Sequence, residues 1–488
     1  MSEVGGADDA DEVVVDINED TAEITNNNNN NNNNNTNGTS FQQRDYEMTA
    51  EKTLNFFGLI VLVFQSMLLA AFVFFFDFSD TFSTLDNVGP TTAITGIATK
   101  YTFIAIMAFV AFGQFALTMR KNGHNTVGIS LLIAAIAVQA GVILTAIADE
   151  FKTSSPFETF PLLITAKNLL NGGFCAVAVL ISYGAYAGIA TGTQVIVISF
   201  VEIILFAVNY GVCIVWLKLQ DFGGEMYVFL FASLFGLVVA FILRAPKKFK
   251  NPFVPLKKHM HQLRSYDFDI FTWVGAGLML VTFPMFATAM APANTEHRVF
   301  VSAALSVLAG AVTAFAFSRL FKRFFVSGII QSGIVAGGIL ACSSFIVTTR
   351  PGITMVFSGL ASMVAVLLEI FWRPLSRRYG VEDTTGILSK FFAPAFIGSI
   401  TSIAFEAWKF QGQYIYGMPT NTIYPDLSWS GYHYVFSIAS FCFTVLIAII
   451  GAFAIAVVVS ILGTRRTPFS DEDQWGEYDD VRFEQYVG

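Results

Sequence analysis

The sequence predicts an all-α polytopic membrane protein with about twelve transmembrane helices. Hydrophobic residues occupy 54% of the 488 positions and charged residues only 13%, whereas about a quarter of a soluble domain is charged. Apolar runs of about 18 residues or more recur along the chain, and each is long enough to cross ~30 Å of hydrocarbon. The partner that these two observations predict is therefore the lipid bilayer.

Three regions divide the chain. Residues 1–52 form an acidic tail with ten consecutive asparagines, Asn26 to Asn35, and such a composition buries too little apolar area to fold. Residues 53–463 form the membrane domain, and residues 464–488 form a second acidic tail. The predicted spans are 54–76, 101–119, 127–148, 161–185, 194–216, 226–243, 268–291, 299–318, 325–347, 353–372, 384–408 and 434–463.

The distribution of basic residues predicts the orientation of these spans. With both tails on one side, the loops of that side hold 15 Lys and Arg residues and the opposite loops hold 6. Basic residues accumulate in cytoplasmic loops, so both termini are expected in the cytosol. The sequons at Asn34 and Asn37 are then expected to stay unglycosylated. We expect the plasma membrane or an endosomal or vacuolar membrane as the location.

Two segments in opposite halves of the membrane domain resemble each other. DFGGEMYVF (221–229) opens the sixth span and DTTGILSKF (383–391) opens the eleventh; both read Asp, Gly three residues on and Phe eight residues on. The sixth span enters from outside and the eleventh from inside, which is typical of inverted repeats that meet at a pathway near the bilayer midplane. Helix-start chemistry is an alternative explanation, since Asp is a favourable N-cap.

Several longer segments resemble the Rh (Rhesus) branch of the ammonium transporter family. The resemblance runs in order and with matching spacing from the second span to the eleventh. It implies twelve spans, a pseudo-twofold axis between spans 2–6 and 7–11, and a homotrimer with one pore per subunit. The segments are FGQFALTMRKNGHNTVGISLLIAAIAVQAG (112–141), KNLLNGGFCAVAVLISYGA (167–185), LFAVNYG (205–211), DFGGEMYVFLFASLFGL (221–237) and DTTGILSKFFAPAFIG (383–398).

The same resemblance identifies the positions that would line the pore. In conducting relatives an acidic vestibule gathers ammonium, two phenylalanines gate a narrow pore, and two facing histidines pass ammonia. A buried Asp on the fourth span holds that site together. The gate positions here are Tyr101, in a stretch that departs from the family pattern, and Phe206, which matches it. The two histidine positions hold Phe229 and Phe391.

Two further family positions depart from the pattern. The fourth-span signature reads KNLLNGGF, so that Lys167 replaces the vestibule Glu and Gly173 replaces the buried Asp. Lys167 would repel a cation by ~1–4 kcal/mol at close range. We therefore expect a pore that conducts no ammonium, in a structural or regulatory subunit forming a homotrimer or a heterotrimer with a related Rh protein. The alternative is a channel for ammonia, ammonium or carbon dioxide that works without pore histidines.

Lys390 requires a separate explanation, because a lysine within a span costs ~3 kcal/mol or more unless it is paired or reaches water. Glu202, the carboxylate nearest the middle of a span, is one predicted partner in a buried ion pair. The alternative is that Lys390 extends into a cytosolic vestibule while Glu202 faces its own aqueous pocket. Three more charged residues near span ends, Glu369, Glu406 and Lys409, are expected to reach water in the same way.

Other functions receive little support from the sequence. We find no phosphate-binding loop, no Ser/His/Asp set and no metal-ligand cluster, so we expect neither an enzyme nor a bound cofactor or metal. No basic motif predicts nucleic-acid binding. The C-terminal tail contains a Tyr-x-x-apolar pattern at Tyr478, which predicts a possible binding site for a clathrin adaptor.

Overall fold

A computed structural model describes residues 57–78, 92–115, 123–151, 161–250, 266–291, 295–378, 383–409, 414–415, 418–419 and 433–462. Within these ranges ten helices are long and apolar enough to cross a membrane, and two shorter apolar helices cover Gly96–Ala111 and Ser327–Leu340. Each of the twelve predicted spans overlaps one of these helices, so the all-helical membrane fold is confirmed. Both tails, including the sequons and Tyr478, lie outside the described residues.

The twelve helices are numbered here in chain order. Five of them contain a π-helical segment, in which one residue is inserted into the ordinary helical turn. The first six are α1 (Phe57–Phe75), α2 (Thr92–Ala105, π-helical Ile106–Ala111, Phe112–Phe115), α3 (Gly123–Glu150), α4 (Ala166–Tyr186), α5 (Gly192–Tyr210, π-helical Gly211–Trp216) and α6 (π-helical Glu225–Leu230, Phe231–Lys250). The last six are α7 (Tyr266–Ala287), α8 (Glu296–Lys322), α9 (Ser327–Leu340), α10 (Pro351–Leu367, π-helical Leu368–Trp372, Arg373–Arg378), α11 (π-helical Leu388–Phe392, Ala393–Lys409) and α12 (His433–Leu462).

Short elements connect some of these helices. A parallel strand pair joins Phe76–Phe78 to Leu162–Ile164, with Phe76 opposite Leu162. An antiparallel pair joins Tyr414–Ile415 to Met418–Pro419. A four-residue helix, Phe345–Thr348, lies between α9 and α10. These elements lie at helix ends, where the backbone leaves the helical ladder.

The helices differ widely in how deeply they lie within the bundle. Almost every residue of α4 is buried, whereas Leu68 is the one buried residue of α1 and most of the others are exposed. Because α1 is apolar apart from Gln65 and Ser66, its exposed surface suits lipid rather than water. The first turn of α4 is fixed by a capping box, in which Thr165 and Asn168 exchange side-chain-to-backbone hydrogen bonds. The family position Gly173 thus lies on one of the most buried helices described.

The two halves of the domain use the same type of close helix contact. A Cβ atom added to Gly141 of α3 would lie 3.0 Å from the Cα of Gly172 in α4. In the second half, a Cβ added to Gly310 of α8 would lie 2.8 Å from the Cα of Gly337 in α9. Small residues allow backbones to approach closely within a membrane. The contact between α3 and α4 therefore corresponds to that between α8 and α9, as the predicted inverted repeats require.

Candidate functional site

The loop before α6 is organised by Asp221. Its carboxylate accepts hydrogen bonds from the backbone N–H groups of Glu225, Met226 and Tyr227, at 2.8, 2.7 and 3.1 Å. Gly224 has φ +67°, a left-handed conformation that glycine adopts without steric cost. Burial raises the pKa of Asp221 to about 6, although the backbone N–H groups favour its ionised form. Asp221 therefore caps the start of α6 with its side chain, whereas the N-cap residue itself is Gly224.

The loop before α11 repeats this arrangement. The carboxylate of Asp383 accepts hydrogen bonds from the backbone N–H of Gly386 at 3.0 Å and of Leu388 at 2.6 Å. Gly386 has φ +84°, and a π-helical segment follows at once. Burial raises the pKa of Asp383, while Arg373 acts in the opposite direction. The sequence echo is therefore one backbone motif built twice: an Asp cap, a left-handed Gly and a π-helical turn.

The two π-helical turns bring Phe229 and Phe391 together. Their ring centroids lie 6.5 Å apart and their planes differ by 20°, so the rings are stacked. Phe229 is 0% exposed and Phe391 is 1% exposed. π-helical turns frequently occur at functional sites because the inserted residue redirects the side chains that follow. The predicted juxtaposition of these residues at the meeting point of the repeats is what the structure shows.

Further rings extend the Phe229–Phe391 stack in both directions. Phe112 also stacks on Phe391, with centroids 5.6 Å apart. On the other side Phe286 lies 5.4 Å from Phe229 and 4.6 Å from Phe174. Tyr227 continues from Phe174 to the gate position Phe206, with centroid distances of 6.1 and 5.9 Å. We call these seven rings the aromatic column: Phe112, Phe391, Phe229, Phe286, Phe174, Tyr227 and Phe206.

The aromatic column is apolar apart from the phenol of Tyr227. All of its members are buried, and none carries an imidazole or carboxylate that could relay a proton. Three histidines are described, His124, His297 and His433, and each lies in the first two positions of its helix. This agrees with the predicted lack of histidine deep in the membrane; His259 and His261 lie outside the described residues.

Gly173 lies where the family places a buried Asp, and its surroundings leave no room for one. A Cβ atom at this position would lie 2.6 Å from Cγ2 of Ile104 and 4.0 Å from Cε2 of Tyr101. Ile104 of α2 is fully buried and occupies the space that the side chain of an Asp would need. Tyr101, the other gate position, is half-buried beside it. Lys167 is exposed at the first turn of α4.

The structure does not bring Glu202 and Lys390 together. Glu202 accepts a hydrogen bond from Ser182 at 2.5 Å, and none of the ion pairs found among the described residues involves it. Lys390 is only 1% exposed, so it does not reach an aqueous vestibule either. Both predicted explanations of Lys390 are wrong.

Lys390 instead belongs to a buried ionic cluster around Glu369. Its ammonium group acts electrostatically on Glu369 and donates a hydrogen bond to the carbonyl of Thr385. Arg373 forms an ion pair with Glu369 at 2.8 Å, and its guanidinium also donates to the Thr384 carbonyl at 3.2 Å. The hydroxyls of Ser332 and Ser389 complete the shell of the carboxylate, at 3.1 and 2.6 Å. We refer to Glu369, Arg373 and Lys390 as the ionic cluster.

The buried glutamates differ from the predicted water-facing residues. Glu369 and Glu406 are 7% and 4% exposed, so neither reaches water as expected. Glu406 accepts a hydrogen bond from Ser437 at 2.6 Å, and Glu225 accepts one from Ser402 at 3.1 Å. The spacing of Glu369 and Arg373, four residues apart in one helix, was the signal that could have revealed the ionic cluster.

Comparison with known proteins identifies the family. The model of the Ammonium Transporter Family matches residues 64–486, which is most of the chain. The chain belongs to the ammonium transporter family. Its relatives include Rhesus-like glycoprotein B of Dictyostelium discoideum, 31% identical over 65% of this chain, and "Ammonium transporter Rh type A" of Rattus norvegicus, 29% identical over 62%.

These relatives place this family member in the Rh branch. The aligned region spans 52% of the Dictyostelium protein and 66% of the rat protein, so the chain matches about half to two thirds of their length. Rh50 of Nitrosomonas europaea has the same fold, with a TM-score of 0.65 and 18% identity over 82% of this chain and 97% of Rh50. Mep2 of Saccharomyces cerevisiae also has this fold, with a TM-score of 0.55, 16% identity and coverage of 75% and 88%.

Proposed function

We propose that this Rh-type family member conducts no ammonium and serves as a structural or regulatory membrane subunit. The observation that carries the proposal is the stacking of Phe229 on Phe391, with Phe112 packed against Phe391 and Phe286 against Phe229. A permeating ammonia molecule would have to separate these rings. A desolvated ammonium would find no acceptor on them, since phenylalanine carries no hydrogen-bonding group.

Two positions nearer the outer end support the same proposal. Lys167 places a positive charge where the family pattern has a carboxylate, which lowers the local concentration of cations. Gly173 cannot be replaced by the family Asp without moving Ile104. Lys167 therefore opposes the entry of cations, and Gly173 changes the geometry of the pore.

The arrangement of the protein in the membrane is part of the proposal. We propose a homotrimer, or a heterotrimer with a related Rh protein, with both termini in the cytosol of a plasma, endosomal or vacuolar membrane. Native mass measurement in mild detergent is expected to give three copies. A monomer would contradict this assembly, whereas a mixed complex with a histidine-bearing relative would favour a regulatory role.

The central test is transport by the purified protein in liposomes. We expect no ammonium-driven current and no ammonia-driven change of internal pH above empty liposomes, whereas a histidine-bearing relative prepared in parallel gives both. A signal from the unmodified protein that Phe391→Trp abolishes would contradict the proposal. It would support the alternative, a channel for ammonia or another small solute that works without pore histidines.

Stepwise substitution toward the family residues separates the contributions of Phe229, Phe391, Lys167 and Gly173 to the loss of ammonium transport. Phe229→His with Phe391→His is expected to stay inactive, because Lys167 and the filled space beside Gly173 still oppose cation entry and site geometry. The structure adds a requirement to the full rescue: Lys167→Glu and Gly173→Asp need Ile104→Ala, which removes the clashing methyl group. The matched control is the same variant without Ile104→Ala, which we expect to lose folded protein, as measured by size-exclusion yield. Full activity of the histidine pair alone would contradict the roles of Lys167 and Gly173.

A further inference from the structure

The carboxylate of Glu202 lies in the packed interface between α4 and α5. Glu202 is 0% exposed, and one of its carboxylate oxygens, Oε2, accepts a hydrogen bond from the Ser182 hydroxyl. Its second oxygen, Oε1, has no hydrogen-bond partner. An unpaired buried carboxylate costs many kcal/mol, so its charge has to be neutralised within this interface.

Two hydroxyl groups beside Glu202 are also unsatisfied. The phenol of Tyr186 lies next to Ser182, Ser199 and Glu202. The Tyr186 hydroxyl and Ser199 Oγ lie close enough to interact, yet neither atom meets strict hydrogen-bond geometry in the described part of the chain. Such clusters of unsatisfied buried oxygens are rare in native proteins and require an explanation.

We propose that these four side chains bind one alkali-metal cation, with Na⁺ as the first candidate. All four donors, in Glu202, Ser182, Ser199 and Tyr186, are oxygens, which hard cations prefer. The site contributes one negative charge, so a monovalent ion leaves it neutral. A proton on Glu202 would provide one further donor only, whereas a cation can contact all four oxygens together.

The site lies near the end of α4 and the first half of α5. Tyr186 is the last residue of α4, and Ser199 is the eighth residue of α5. The connection between these two helices is five residues long. None of the four side chains belongs to the aromatic column, so the inference does not depend on whether the pore conducts.

The first experiment measures the thermal stability of the full-length protein in detergent. NaCl is titrated against N-methyl-D-glucamine chloride at constant ionic strength, with KCl as a second series. We expect a saturable rise in melting temperature of about 2 °C or more in Na⁺ or K⁺, since a ligand that binds only the folded state stabilises it. The ion that saturates at the lower concentration is the preferred one. A melting temperature independent of both cations would overturn the proposal.

Substitutions locate the effect. Glu202→Gln keeps the size and hydrogen bonding of the side chain and removes its charge, so it is expected to abolish the cation dependence. Tyr186→Phe and Ser199→Ala each remove one oxygen and should raise the half-saturating concentration about tenfold. Glu406→Gln is the matched control, because Glu406 is also buried against a serine, and its cation dependence should equal that of the unmodified protein.

Direct binding gives a second measurement that does not depend on unfolding. Radioactive ²²Na⁺ binding by scintillation proximity is expected to saturate at one ion per chain and to be competed by unlabelled NaCl. If Glu202→Gln does not fold, Tyr186→Phe and Ser199→Ala supply the comparison. Undiminished ²²Na⁺ binding by Glu202→Gln would overturn the assignment. The assignment would also fail if the melting temperature of the unmodified protein did not depend on cations and Glu202→Gln melted at a higher temperature.

Discussion

The two halves of the membrane domain build the same motif around different neighbours. The segments 221–229 and 383–391 share the Asp cap, the left-handed Gly, the π-helical turn and the central Phe. They differ in charge: the first has Glu225 where the second has Ile387, and Val228 where the second has Lys390. The backbone motif therefore depends on Asp and Gly, while the electrostatics of each copy depend on the surrounding helices.

The surroundings of the two copies explain how each charge is accommodated. Glu225 lies against Ser402 of α11, and no ion pair found among the described residues includes it. Lys390 belongs to the ionic cluster, whose Arg373 and Lys390 also hold the carbonyls of Thr384 and Thr385. The second loop is thus tied to α10 by charge-assisted hydrogen bonds, which are about twice as strong as neutral ones.

The largest difference should lie between removing Glu369, which the second copy contacts, and removing Glu225, which the first copy contains. Glu369→Ala leaves the buried Lys390 and the part-buried Arg373 without their carboxylate, a change that costs about 3–5 kcal/mol. Glu225→Ala loses a hydrogen bond to Ser402, which costs about 1–3 kcal/mol. We expect Glu369→Ala to lose most folded protein by fluorescence-detected size exclusion, whereas Glu225→Ala lowers only the melting temperature.

A compensating variant tests the cause of this loss. Adding Lys390→Met to Glu369→Ala removes one of the two uncompensated charges, so part of the yield should return. Equal damage from Glu369→Ala and Glu225→Ala would show that the ionic cluster does not stabilise the second copy.

A smaller difference should separate the two left-handed glycines. Alanine in a left-handed conformation costs about 1–2 kcal/mol at either position. At Gly386 the added methyl would also overlap Oε1 of Glu369, which is held by its ion pair; at Gly224 it would lie 2.6 Å from a methyl of Val228. We expect Gly386→Ala to lower the melting temperature more than Gly224→Ala does. The reverse order would mean that the ionic cluster adapts more readily than Val228.

The smallest expected effect concerns the pH dependence of the Asp221 cap. Burial raises the pKa of this carboxyl to about 6, above its value in an unfolded chain, so the folded state binds the additional proton. The contribution of Asp221 to stability is therefore present at low pH and is lost as the pH rises through 6, by about 1 kcal/mol between pH 5 and pH 7. The difference in melting temperature between the unmodified protein and Asp221→Asn should therefore fall from pH 5 to pH 7. A constant difference would contradict the assignment of the proton to Asp221.

The features that depend on residues close together in the chain, the helices and the two equivalent loops, could be predicted from the sequence alone. Twelve apolar runs specified twelve helices, because a backbone in lipid must satisfy its own hydrogen bonds. The echo of Asp, Gly and Phe at fixed spacing specified two equivalent loops, because capping and left-handed glycine act within a few residues. The meeting of Phe229 and Phe391 followed from the predicted inverted repeats.

Which distant residues meet depends on how the helices pack, and this cannot be read from the sequence. The carboxylate beside Lys390 is Glu369 rather than Glu202, and the space beside Gly173 is filled by Ile104. The rings of Phe112, Phe174 and Phe286 join the aromatic column from three other helices. Helical periodicity fixes the face on which a residue lies but not the helix that packs on that face. The partners of buried charges and rings are therefore set by how the twelve helices pack.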